Sequence, residues 1–340
     1  TATIGSANFD IGHTFSTGGG GLAQVGCVCN GPDKAEGITG SPSPVGDPYD
    51  IDYVAHEMGH QFGGNHSFNA TSGSCGFGNR NASTAMEPGS GITVMGYAGI
   101  CGSQDLASNS IPYFHAVSFD EIINFTQSGG GGLCPVTSTT GNQAPIASGP
   151  GNYTIPKSTA FFLSGSATDA DGDPLTYSWE EVDQGIAGGW NSGNKPYFRS
   201  YAPSNSGTRY FPQPSIILTH LYTTTKGEYV PATAQNLNFR MTVRDNKTGG
   251  GGIGVVQSAV TVDNSGPFLI TYPNTTGITW YSTGSENVTW NVNGTDAGAV
   301  DCDTVRILLS LDNGNTYSVL VNSTPNDGSH VLTVPSVTAD

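Results

Sequence analysis

Eleven residues, His56-Glu57-Met58-Gly59-His60-Gln61-Phe62-Gly63-Gly64-Asn65-His66, constrain this chain more than anything else in it. Two histidines four apart on a helix project from one face, roughly 40° apart around the axis. Glu57 then lies about 100° round from His56, within reach of whatever the two rings hold between them. Gly63 can close the helix in the left-handed region that most residues avoid. The chain turned there brings His66 back as a third imidazole. Three neutral imidazoles with the fourth vertex left to water form the donor set of a catalytic zinc site, not of a closed structural one. The competing reading is three satisfied histidines around a helix end, and it needs five fixed positions to coincide by chance.

The spacing predicts a helix from Asp50 or Asp52, as N-cap, to about Phe62. Ile51, Val54, Ala55, Met58 and Phe62 recur at helical intervals and are expected to form its buried face. Upstream, Asn8–Phe15 and Leu22–Val25 read as strands around a glycine tract. Downstream, Ile92–Tyr97 reads as a short segment entering a turn. A second helix is expected from Ser118, with Glu121 completing a capping box and Ile122, Ile123 and Phe125 on its inner side. From about residue 144 the texture turns to β. Phe161–Gly165, Leu175–Glu180, Leu237–Val243 and Gly254–Val262 alternate with the period of half-buried strands, a sandwich pattern. Segment 183–235 is too long for a hairpin loop. Docking on the neighbouring domain is open to it, and an ornamental insertion is the expectation. A third unit begins near Gly266, with strand runs at Val288–Val292, Val305–Ser310 and His330–Val334.

A chain of 340 residues holds two or three domains. Its net charge of −16, from 27 acidic and 11 basic residues, argues against nucleic acid or an anionic membrane as partner and favours cations, calcium included. No stretch approaches the length of a membrane span. Five of the six cysteines fall in the first 134 residues. Cys27-Val28-Cys29 lacks the gap of a zinc knuckle, so disulfides in an exported, extracellular protein are the expectation. The first residues have no signal-peptide character, and the chain is expected to begin downstream of an export signal.

With its histidine motif, the chain resembles the metzincin clan of zinc endopeptidases over roughly residues 8–134. Met95, in Val94-Met95-Gly96-Tyr97, matches the methionine turn that lies beneath the metal in that clan. Gly20–Cys27 resembles the edge strand of reprolysin-like enzymes, which implies substrate pairing along Gly21, Leu22 and Ala23. Ser67 follows the third histidine, where reprolysins usually carry Asp and matrixins Ser. Tyr97 stands where astacins and serralysins carry a tyrosine that can touch zinc; pocket wall and zinc contact both stay open.

The resemblance implies zinc on His56, His60 and His66, Glu57 as the catalytic acid–base, and Met95 and Tyr97 as structural supports. It also implies a Cys29–Cys134 disulfide. Cys75–Cys101 would then staple the loop after His66, leaving Cys27 and Cys302 without partners. Metzincin domains carry more sheet upstream than precedes this edge strand, so either the chain is processed and keeps the missing N-terminal part of its catalytic domain as a partner, or it is a fragment.

The expected fold is therefore multidomain. An α/β metzincin-like domain, N-terminally incomplete, occupies residues 1–143. Two all-β, immunoglobulin-like sandwiches follow at 144–264, PKD- or cadherin-like, and at 265–340, truncated. Asp169, Asp171 and Asp173 resemble the acidic turn of such modules. Calcium, with Asp245 joining from a neighbouring strand, and a merely solvated turn both fit. His13, His115, His220 and His330 are solitary and are expected to be structural or on the surface. The function these readings favour is a secreted zinc endopeptidase acting on protein or peptide substrates. The rivals are an adhesin with a vestigial zinc domain and a metal-dependent hydrolase of some other bond.

Overall fold

The computed structural model describes residues 3–219 and 224–337, so His220 lies outside the described residues. Near the N-terminus, β1 (Thr14–Ser16), β2 (Gly20–Ala23) and β3 (Gly37–Gly40) form a small sheet in the order β1-β3-β2. β1 runs parallel to β3, and β2 pairs antiparallel through Leu22 opposite Ile38. β2 is thus an edge, with its outer backbone free among the described residues.

The histidine helix starts earlier than the sequence predicts. It is α-helical over α1 (Asp47–Tyr49), π-helical over Asp50–Ala55 and α-helical again over α2 (His56–Gln61). Neither Asp50 nor Asp52 caps it. Gly46 occupies the N-cap, and the Asp52 carboxylate instead accepts Ser110 N at 2.7 Å and Asn109 Nδ2 at 3.0 Å. A π-turn widens the spiral and rotates the face that follows. The expected apolar stripe of Ile51, Val54, Ala55, Met58 and Phe62 is accordingly only half-buried, while His56, Glu57, Gly59, His60 and Gln61 are buried. Gln61 is held by His13 Nδ1 and donates to Gly12 O, which ties α2 to the chain before β1. His13 is thus structural, as expected.

Ile92–Tyr97 is a succession of turns: Ile92 N and Thr93 N donate to the Glu87 carboxylate, while Val94 N, Gly96 N and Tyr97 N donate to the backbone carbonyls of Tyr113, Thr93 and Ser90. Both implied disulfides are present, Cys29–Cys134 and Cys75–Cys101.

The central β region has β4 (Ile146–Ser148), β5 (Tyr153–Pro156), β6 (Phe161–Ser164), β7 (Ser166–Thr168), β8 (Thr176–Glu181), β9 (Thr208–Phe211), β10 (Gln235–Arg244) and β11 (Ile253–Asp263). One sheet runs β5-β11-β10-β8; the pairs β4-β7 and β6-β9 complete the sandwich. Alternate residues of β10, Leu237, Phe239, Met241 and Val243, point inward to meet Leu163, Trp179 and Phe211. Each such side chain contributes roughly 1.5–3 kcal/mol by leaving water. The last region has β12 (Leu269–Tyr272), β13 (Ser285–Asn291), β14 (Thr304–Leu309), β15 (Ser318–Pro325) and β16 (Ser329–Thr333). The sheet β12-β13-β16 faces the pair β14-β15 across Val288, Trp290, Leu332 and Val334.

Segment 183–235 corrects the expectation of an ornamental insertion, because it docks on the histidine-bearing region. Gly185 N donates to Ala85 O, Gly188 N to Asn69 O, Gln184 Nε2 to Ser83 O and Lys226 Nζ to Asp105 O. Its many backbone polar groups require such partners wherever it is covered.

The same contact explains the start of α3 (Ala116–Gln127), two residues before the expected Ser118. The buried carboxylate of Glu180 on β8 accepts Ala116 N at 3.0 Å, Ser200 Oγ at 2.8 Å and the Tyr113 hydroxyl. A negative group from the sandwich therefore sits on the positive end of this helix. His115 is the N-cap, its Nδ1 accepting Val117 N at 3.1 Å, so its proton is on Nε2, 3.6 Å from Glu180 Oε1. Glu121 forms no capping box. It accepts Asn65 N at 2.8 Å and Asn65 Nδ2 at 2.6 Å, and so grips the residue before His66.

Candidate metal centre

α2 presents His56 and His60 on one face. Gly63, at φ +94°, turns the chain so that His66 returns to them. A side chain at Gly63 would also press on Phe125 of α3, since a Cβ there would lie 2.9 Å from Phe125 Cβ. The three Nε2 atoms converge: His60 to His66 is 3.1 Å and His66 to His56 is 3.2 Å. Each Nδ1 meets a backbone carbonyl, His56 on Val94 O at 2.7 Å, His60 on Gly64 O at 2.7 Å and His66 on Asn79 O at 2.6 Å. A carbonyl oxygen only accepts, so each Nδ1 carries a proton. Burial lowers the pKa of all three rings, that of His66 to about 4. Near neutrality the rings are therefore uncharged, and each Nε2 is a bare lone pair.

Three lone pairs facing one another have no hydrogen bond to make, and a cation satisfies all of them at once. Nitrogen ligands at about 2.0–2.1 Å on a tetrahedral zinc stand roughly 3.3 Å apart, close to the observed separations. Metal-bound histidines almost always donate their other N–H to a carbonyl or carboxylate, as all three do here. The donor set fits Zn2+.

Glu57 lines the same cleft as His60 and His66 and is mostly buried. Burial pushes its carboxyl up to about 7. β2 approaches it so closely that a Cβ on Gly21 would lie 2.6 Å from Glu57 Cδ. Only glycine fits between the edge strand and this carboxylate. Gly21→Ala should therefore displace either group and lower kcat/KM of any hydrolysis that depends on Glu57 by at least about tenfold. Assay of the folded, metal-loaded variant tests this, and wild-type turnover would refute it.

Met95 is fully buried below α2, where a Cβ added at Gly59 would meet its Sδ at 2.5 Å. The Tyr97 ring packs 4.5 Å from His66, 5.3 Å from His56 and 4.7 Å from Phe68. Burial, with the nearby Glu57 charge, pushes its hydroxyl up to about 12.

Glu87 is a support the sequence reading missed. Its buried carboxylate accepts Ser67 Oγ at 2.6 Å, Ile92 N at 2.8 Å, Thr93 N at 3.2 Å and the Thr93 hydroxyl. It thereby binds the residue after His66 to the turn that carries Met95. Its signal was available: it is the single charged residue between Arg80 and Asp105.

The acidic turn lies apart from this centre. Ligand atoms of Asp169, Asp171 and Asp173 come within 4.8 Å of one another. Lys247 Nζ reaches both Asp173 oxygens, at 3.0 and 3.1 Å. Asp245 does not join them: its carboxylate is taken up by Asn142 Nδ2 and by the backbone of Lys247 and Gly252.

Residues 1–126 match the family model described as Metallo-peptidase family M12B Reprolysin-like. That stretch contains every residue of the histidine centre, and the match supports a metallopeptidase in general. Comparison with curated proteins gives no match. Among solved structures, that of Drosophila N-cadherin EC1-4 is similar at 14% identity and a TM-score of 0.21. That likeness covers 57% of this chain and 49% of the cadherin, so the chain spans about half of that protein, too slight a resemblance to build on. Among the described residues no helix is long and apolar enough to cross a membrane.

Proposed function

We propose that this protein is a secreted zinc endopeptidase, with a catalytic unit over residues 1–143 and β-sandwich units at 144–264 and 265–340. The observation that carries the reading is the convergence of three uncharged Nε2 lone pairs beside a carboxylate. Held by His56, His60 and His66, Zn2+ would draw the pKa of a water towards 7 and polarise a scissile carbonyl. Glu57 accepts the proton of the attacking water and returns it to the leaving amine. The free edge of β2 offers a substrate backbone an antiparallel partner at Gly21, Leu22 and Ala23. That edge favours a peptide over other hydrolysable substrates. Met95 and Glu87 hold the floor of the site, and Tyr97 packs its wall. Two disulfides suit an oxidising, extracellular setting.

Elemental analysis should find about one zinc per chain, and a chelator should abolish cleavage of a generic protein substrate, with zinc restoring it. Cleavage that persists in metal-free protein would refute the proposal. A folded, zinc-loaded protein that cleaves no peptide would favour the adhesin reading.

A further inference from the structure

The cleft beside the histidines holds one permanently cationic side chain, Arg80, among Gly78, Asn79, Asn81 and Ala82. Its Nε and Nη2 donate to Asn69 Oδ1 at 3.1 and 2.9 Å, and Nη2 also donates to Gly185 O. These bonds fix the guanidinium and leave Nη1 without a hydrogen-bond partner among the described residues. Acidic residues outnumber basic ones by 27 to 11, yet no described carboxylate lies within ion-pair distance of Arg80. Glu57 is the only acid lining the cleft, and the peptidase reading commits it to the reaction.

The fixing partners come from both sides of the docked contact. Gly185 belongs to segment 183–235, and a Cβ on it would lie 2.5 Å from Asn69 Cγ. The sandwich thus presses directly on the residue that aims Arg80. The next residue back, Asn79, supplies the carbonyl that receives His66 Nδ1, so Arg80 is anchored beside a support of the third ligand.

A half-buried guanidinium whose Nε and Nη2 are already fixed leaves Nη1 to make a charge-assisted hydrogen bond, and a carboxylate is the peptide group that gains most from one. We infer that Arg80 is a specificity residue that selects peptides placing an Asp or Glu side chain in this cleft. The inference rests on the peptidase reading above, and the whole-chain charge of −16 works against it at long range. A local, desolvated contact is therefore what must supply the preference.

The test uses the full-length, zinc-loaded protein and paired fluorogenic peptides that differ only in Glu against Gln, placed in turn at each position around the scissile bond. At one position the Glu peptide should be preferred in kcat/KM by about ten- to a hundredfold. Arg80→Gln should collapse that ratio towards one, and Arg80→Lys should keep part of it. A merely structural role for Arg80 would lower both members of a pair together and leave the ratio unchanged. If Arg80→Gln fails to fold, the wild-type ratio itself decides. Equal cleavage of Glu and Gln peptides at every position overturns the inference while leaving the peptidase reading intact. If no peptide is cleaved, that reading fails instead. Binding of the same pairs to Glu57→Gln protein, followed by fluorescence anisotropy, then decides for Arg80, with equal affinities counting against it.

Discussion

Replacing Glu57 by Gln should leave zinc content and folding unchanged and reduce peptide hydrolysis by roughly 10²- to 10⁴-fold. The amide keeps the size and much of the hydrogen-bonding capacity of the carboxylate, so the packing of β2 against this position survives. It cannot accept a proton at neutral pH. The two steps assigned to Glu57, activation of water and protonation of the amine, both lose their agent. The loss should fall mainly on kcat, since substrate pairing along β2 does not involve the carboxyl group. Steady-state kinetics alongside metal analysis would check this. A variant that retains a tenth or more of wild-type turnover with full zinc occupancy would remove Glu57 from the mechanism.

The second large effect should come from a residue far along the chain. Glu180→Ala should destabilise the protein by roughly 3–5 kcal/mol, because it strips several buried donors of their shared acceptor at once. The Tyr113 hydroxyl, Ser200 Oγ and the first N–H of α3 would all lose a bond, and His115 its facing charge. α3 carries Glu121, which grips Asn65 next to His66, so peptidase activity should fall along with stability. Glu180→Gln preserves an acceptor and should cost less. Urea midpoints of the two variants would decide. A change under about 0.5 kcal/mol for Glu180→Ala would mean that the contact between the units contributes little.

The centre was legible because its chemistry is local. His56, Glu57, His60, Gly63 and His66 fall within one helix and its closing turn, where helical geometry alone predicts which groups meet. The strands of the sandwiches were legible for a similar reason: in β10 the apolar Leu237, Phe239, Met241 and Val243 alternate with the polar Asn238, Arg240 and Thr242, although Arg240 and Thr242 are buried too. What stayed hidden depends on contacts between distant segments. The π-turn over Asp50–Ala55 has no periodic signature, so the expected buried stripe was rotated from the true one. The start of α3 was misplaced because its N-cap is His115 and the acceptor of its first N–H is Glu180, some sixty residues later, whereas a capping box at Ser118 was the best local guess. Segment 183–235 looked ornamental because most of its docking bonds use a backbone group on at least one side, and such groups carry no residue-specific signal. The two disulfides came from the family resemblance; spacing alone would have left other pairings open.

The stretch 135–141 between the histidine-bearing region and the first sandwich is exposed and free of regular structure, an easy target for proteolytic nicking. A cut there would not set the halves adrift. Glu180 and segment 183–235 would still clasp the histidine-bearing region, and the Cys29–Cys134 bridge would retain its new C-terminal end. A protein nicked there would run as two chains on a denaturing gel while sedimenting as one particle.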